Sequence, residues 1–257
     1  MNMKSLTQKK TISIGSSTLE YGTSGTGSPA IVLINGSGVP IEGWYRVFAE
    51  LETLSTVLVY NRLGIGKSSK PKEPQTGAVM VETLRELLLK AGLPPTYLLV
   101  GHSLGGLIAN LFVRCYPEEI RGVVFLDATA PEDIAMMAAH ETALMRFLQR
   151  TLDAIHGKDS LGEITHATRT SELISLAPAF PDIPLIVVTG GKPAMSWLIS
   201  APALAERAEH QRRMAVLSPR GKQIIAKRSG HFPQFTEPGV VVQAVREALA
   251  LGRIAHA

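Results

Sequence analysis

A chain of 257 residues with 45% hydrophobic and 19% charged residues suits one large α/β domain or two small ones and excludes disorder as its main state. The net charge of +4 does not imply nucleic-acid binding. The basic residues near the C-terminus (Arg207, Arg212, Arg213, Arg220, Lys222, Lys227, Arg228) lack interleaved aromatics, have Glu206 and Glu209 among them, and read as a solvated helix face.

The single cysteine, Cys115, excludes an intrachain disulfide framework and reads as a small buried hydrophobe beside Phe112 and Tyr116. Residues 1–10 lack the apolar core of a signal peptide, and no apolar run of about 18 residues predicts a membrane span. The expected compartment is the cytoplasm.

Thr11–Ile14 and Leu19–Tyr21 read as a short antiparallel pair, followed by a turn-rich stretch at 22–29. Ala30–Ile34, Val57–Tyr60, Tyr97–Val100 and Gly122–Leu126 are apolar runs, the pattern of strands buried on both faces of a parallel sheet. Helical patterns lie between them at about 43–53, 76–91 and 103–116, with Pro94-Pro95 and Pro117 ending the last two. From 131 to 183 the strand signal disappears, and amphipathic patterns run through Ile134–His156 and Ser171–Leu176. Strands at Leu185–Thr189 and Gln223–Ala226 and helices at about 201–217 and 238–251 then restore the alternation. The expected architecture is α/β. A doubly wound, mostly parallel sheet is formed by a core of 1–130 and 184–257, and a helical cap of 131–183 is inserted after the sixth strand.

Gly101-His102-Ser103-Leu104-Gly105 follows one of these strands and opens a helix. The two glycines permit a sharp strand-to-helix turn that exposes the Ser103 hydroxyl, and the next amide, that of Leu104, faces any negative charge beside it. Serine needs a base, and His231 follows the last strand, at the edge where all parallel strands end. His140, His156 and His166 fall in the insertion, His210 in a surface-like helix and His256 at the tail, while the His102 side chain is expected to point away from the hydroxyl.

An acid should orient the imidazole. The loop after the seventh strand, its commonest position, is empty here: no Asp or Glu lies between Asp182 and Glu206. Asp127, at the end of the sixth strand, is the best replacement. Glu132 and Asp133 are alternatives, and Asp127 also has a simple capping role open to it on the backbone of 128–130. A second oxyanion donor is expected in the turn Asn35-Gly36-Ser37-Gly38, with Ser37 preferred over Gly36 and Gly38.

These motifs resemble the α/β-hydrolase superfamily over nearly the whole chain. Beyond the elbow, 60–68 is similar to the family's loop after its fourth strand, and Gly230-His231-Phe232 with Glu237-Pro238 to its histidine loop. The resemblance implies a hydrolase without cofactor acting on a small molecule. Members with the acid after the sixth strand are known, which favours Asp127. The chain departs from the family at Asn35, where many members carry His, and at Asn61, where Asp is usual. Ser103 excludes the members that use an Asp nucleophile. No cluster has metal-ligand spacing, and Gly64–Ser68 lacks the first glycine of a phosphate loop.

Met136, Met137, Leu144, Met145, Phe147, Leu148 and Ile155 in the insertion are expected to pack it onto the core, and some to line an apolar pocket. Gly36, Met137, Leu144 and Trp197 are the expected pocket residues. The leading expectation is a serine hydrolase of small carboxylic esters working through an acyl-enzyme. The competing readings are a lactone, amide, peptide or carbon–carbon bond, or a ligand-binding receptor of the same fold.

Overall fold

The computed structural model describes residues 8–140, 161–192 and 200–254. The strands are β1 (Lys10–Ile14), β2 (Ser17–Ser24), β3 (Ala30–Ile34), β4 (Val57–Tyr60), β5 (Tyr97–His102), β6 (Ile120–Leu126), β7 (Leu185–Gly190) and β8 (Gly221–Ala226). They form one sheet of eight strands in the order β1-β2-β4-β3-β5-β6-β7-β8. Only the β1–β2 and β2–β4 pairs are antiparallel.

Alternate residues of the central strands enter two different cores, which is why those runs are apolar throughout. Val32, Ile34, Leu99 and Phe125 pack on one face, under α2 (Gly77–Lys90) and α3 (Leu104–Cys115). Ile31, Leu33, Val100 and Leu126 pack on the other, under Trp44, Phe48 and the helix Pro238–Ile254. Among the described residues no helix is long and apolar enough to cross a membrane.

Two expectations need correction. The helix expected at about 43–53 is a 3-10 turn, Ile41–Trp44, and a short helix α1, Phe48–Leu51. Pro40 starts the turn, and Gly43 is pressed so closely that a Cβ there would stand 2.6 Å from Val39 Cγ1. Cys115 is exposed: it is the last residue of α3, beyond the covered stretch that ends at Val113.

Within 131–183 the described helices are α4 (Pro131–Ala139) and α5 (Ala167–Leu176). Ala167 and Ile174 join the same core as α2 and α3. Thr170 Oγ1 accepts from Gly77 N–H at 2.8 Å, and the Ser171 hydroxyl donates to Pro131 O at 2.9 Å.

The elbow depends on Gly105, where an added Cβ would lie 2.2 Å from the Ile34 carbonyl oxygen. Backbone cannot yield there as a flexible side chain would. Gly105→Ala is therefore expected to cost about 3 kcal/mol in chemical denaturation. Gly239→Ala, with nothing within 4 Å of the new methyl, should be neutral or slightly stabilising.

Candidate active site

Strand register assembles the site. Ile34 pairs with Gly101 and His102 with Leu126, so 35–36, Ser103 and Asp127 stand level at the ends of three adjacent parallel strands. Ser103 has φ 51° and ψ −123°, and Asp127 φ 40°, the only positive-φ residues other than glycine among those described. Such conformations cost on the order of 1–3 kcal/mol each and persist only where surrounding bonds hold them. Here Ser103 N–H donates to Leu126 O (3.3 Å), Thr129 N–H to Ser103 O (3.0 Å) and Asp127 N–H to Val188 O (2.7 Å).

His231 arrives from the loop after β8. Its Nε2 lies 3.0 Å from Ser103 Oγ and its Nδ1 2.7 Å from Asp127 Oδ2. Gly190 N–H donates to the other carboxylate oxygen at 3.0 Å. Burial pushes the Asp127 carboxyl up, but the His231 hydrogen bond and the Arg207 charge outweigh it and hold the group at about 2. Asp127 is therefore ionised across the neutral range, as an acid that orients an imidazole must be.

Among the described contacts His102 bonds the histidine loop and not the Ser103 hydroxyl. Its Nε2–H donates to the His231 carbonyl at 2.7 Å, and its ring lies 4.9 Å from that of His231. Burial, then the neighbouring His231, lowers it to about 4 and keeps it neutral.

The helix α6, Ala201–Ala215, keeps Arg212 and Arg213 exposed, as expected of a solvated face, but turns Arg207 and His210 inward. Arg207 Nη2 donates to Asp127 Oδ2 at 2.8 Å and to Asp127 O at 3.1 Å, while Nη1 reaches Asp133 Oδ2 at 3.0 Å. His210 is buried, with Nδ1 2.7 Å from Asp133 Oδ1. Asp133 also accepts from Ala130 N–H at 2.8 Å. That occupies Asp133 away from His231, whereas Asp127 contacts it directly. Glu132 is exposed on α4.

On the opposite side of Ser103, a Cβ at Gly36 would come within 3.1 Å of Ser103 Cβ, so the turn at 35–38 lies directly on the elbow. Leu104 N–H opens α3, where no intrahelical acceptor exists. Gly38 N–H instead donates to Glu163 Oε1 at 3.2 Å, and the Ser37 hydroxyl bonds the same carboxylate.

Buried Arg62 fastens this turn. Its Nη1 donates to Asn35 O (2.6 Å) and Nη2 to Gly36 O (2.7 Å), while Nε and Nη2 hold Glu163 at 2.5 and 3.0 Å. Asn61, in place of the family's Asp, donates to Glu20 Oε2 at 2.7 Å and accepts from Ile41 N–H at 2.8 Å. An Asp there would face a second carboxylate.

Sequence reasoning missed Arg207 and Glu163. The one available signal was Arg62, a cation beside buried strands whose usual local partner, an Asp at 61, is replaced by Asn. Of the expected pocket residues, Gly36 touches the elbow, Met137 is 62% exposed on α4, and Leu144 and Trp197 lie outside the described residues. The described residues contain no group of three His, Cys, Asp or Glu able to hold a metal ion.

The protein YqjL of Bacillus subtilis, itself uncharacterized, is 28% identical to this chain over 249 residues, covering 95% of this chain and 92% of YqjL. A (lyso)-N-acylphosphatidylethanolamine lipase of Mus musculus is 33% identical over 104 residues, which are 38% of this chain and 29% of that lipase. In structure, a thermophilic esterase from Thermogutta terrifontis superposes with a TM-score of 0.68 at 22% identity, covering 95% of this chain and 99% of the esterase. That likeness establishes the fold. The family model described as the alpha/beta hydrolase fold matches residues 29–175, from just before β3 into α5, and the chain belongs to that family.

Proposed function

We propose that the protein is a serine hydrolase of small carboxylic esters, with Ser103 as nucleophile, His231 as base and Asp127 as acid. The observation that carries the reading is the unbroken hydrogen-bonded path from Ser103 Oγ through the imidazole to Asp127, at 3.0 and 2.7 Å. His231 Nε2 takes the hydroxyl proton as Ser103 Oγ attacks the ester carbonyl carbon. The carbonyl oxygen becomes an oxyanion facing the amides of Leu104 and Ser37. The imidazolium then protonates the departing alkoxide, leaving an acyl-enzyme. Water, deprotonated by the same imidazole, attacks the acyl carbon and releases the acid and free Ser103. In the same proposal residues 131–183 are the cap, and Met137 on α4 is its pocket residue. The lipase of Mus musculus among the similar proteins supports the ester reading, and the lactone arm of the panel tests its nearest competitor.

The test is a panel of 4-nitrophenyl esters of increasing acyl length, with a lactone and an anilide alongside, together with a fluorophosphonate label. One mole of label on Ser103 and turnover of the esters above the anilide are expected. Absence of both labelling and turnover would overturn the reading in favour of a ligand-binding protein.

A further inference from the structure

The triad acid has an unusual neighbour. Asp127 Oδ2 is shared: it receives His231 Nδ1 at 2.7 Å and Arg207 Nη2 at 2.8 Å. The loop after β7 offers no carboxylate, and the next helix, α6, brings a cation to the same carboxylate instead. We propose that Arg207 is a positioning residue for the Asp127–His231 pair, aiming the shared oxygen at His231 Nδ1. The inference rests on the proposed roles of Ser103, His231 and Asp127.

Two features of the geometry support it. Arg207 bonds both the side chain and the backbone carbonyl of Asp127, so it fixes the rotamer relative to a main chain already held at φ 40°. Its second nitrogen is tied to Asp133 Oδ2, and Asp133 is in turn anchored by Ala130 N–H and His210. The guanidinium is thereby restrained at both ends, and a fixed charge acts more strongly on a neighbour than a mobile one.

The electrostatic consequence follows from sign. When His231 takes a proton, a second positive charge appears close to Arg207, on the other side of one carboxylate. Like charges at this separation, in a half-buried setting, disfavour the protonated imidazole. The other groups facing His231 do not reverse this. His102, from β5, is neutral, and its ring is tilted 46° against that of His231. Gly190, the last residue of β7, contributes its amide to Asp127, and in the loop after it the Lys192 backbone N–H donates to Ser229 O. Asp133 and His210 lie behind Arg207, and Glu206 is 4.0 Å from His210 Nε2 on the far side.

The experiment compares Arg207→Gln and Arg207→Lys with the wild type by the pH dependence of kcat/KM on an aryl ester. It adds the pH titration of the His231 imidazole by NMR of histidine-labelled protein. Arg207→Gln is expected to move the acidic limb up by about one pH unit and to lower the plateau about tenfold. Arg207→Lys should leave the limb near that of the wild type, since it keeps the charge, while still losing plateau because an ammonium cannot fork. An unmoved limb in Arg207→Gln, or an equal shift in both variants, overturns the proposal, because loss of structure alone lowers activity at every pH. If Arg207→Gln does not fold, Arg207→Gln/Asp133→Asn spares Asp133 an unpaired buried charge, and an upward shift is again expected. The NMR titration needs no turnover, so it reads Arg207 even if the ester activity proves wrong. Conversely, turnover insensitive to Ser103→Ala would refute the proposed function alone.

Discussion

Ser103→Ala is expected to lower kcat/KM on 4-nitrophenyl esters by about 10⁶-fold and to remove fluorophosphonate labelling, with the circular dichroism spectrum unchanged. The attacking oxygen is then gone, and what remains is only the binding and electrostatic help of the surrounding amides. Asp127→Asn should cost about 10⁴-fold, since an amide can hold the imidazole in the wrong tautomer and cannot balance its charge. Ser103 has φ 51°, a conformation that glycine adopts freely. Ser103→Gly is accordingly expected to be as inactive as Ser103→Ala but to unfold at a higher temperature. Substantial ester turnover by the alanine variant would sink the nucleophile assignment.

The second large effect is expected at Glu163. Arg62 is 5% exposed, and its carboxylate partner comes only from this residue among the described contacts. Glu163→Leu would strand a buried guanidinium and cost about 3–5 kcal/mol in urea denaturation. It would also release the turn proposed to hold the oxyanion, lowering kcat by about 10²-fold while changing KM little. Glu163→Gln keeps the oxygen but not the charge, and should fall between the two. Burial raises the Glu163 carboxyl, yet Arg62 and the Ser37 and Gly38 hydrogen bonds pull it below its ordinary value. Its stabilising effect is therefore complete above the unfolded value of about 4.3 and fades as the pH falls below it. Glu163→Gln should lack that component of the acid dependence. A urea midpoint for Glu163→Leu equal to that of the wild type would refute the role assigned to the pair.

Much of this molecule is legible in its sequence because burial on both faces writes a continuous signal. Ala30–Ile34 and Val57–Tyr60 read from apolar runs have the observed ends, and β5, β6, β7 and β8 differ from the reading by a few residues. The Gly-His-Ser-Leu-Gly turn, the histidine loop and the vacancy after the seventh strand point to Ser103, His231 and Asp127; register levels Ser103 with Asp127, and the loop after β8 brings His231 to both. What the sequence hides are charges paired at long range. Arg207 meets Asp127 across 80 positions and Arg62 meets Glu163 across 101, separations that leave no periodic trace. A helix rich in Arg and Glu looks solvated whether or not one of its cations turns inward, so the sequence of α6 does not show that Arg207 does. The burial of His210 is hidden for the same reason, because its partner Asp133 lies 77 residues away.

The Arg62–Glu163 pair also bears on how pieces of this fold can be exchanged between proteins. Replacing 131–183 by a segment with no acid at the position of Glu163 would remove the carboxylate and leave the cation behind in the core. A chimera would therefore need residue 62 changed together with the segment, or a new acid built where Glu163 stands. The transferable unit is thus set by a charge pair, and its edge lies 101 residues upstream of Glu163, in the loop after β4.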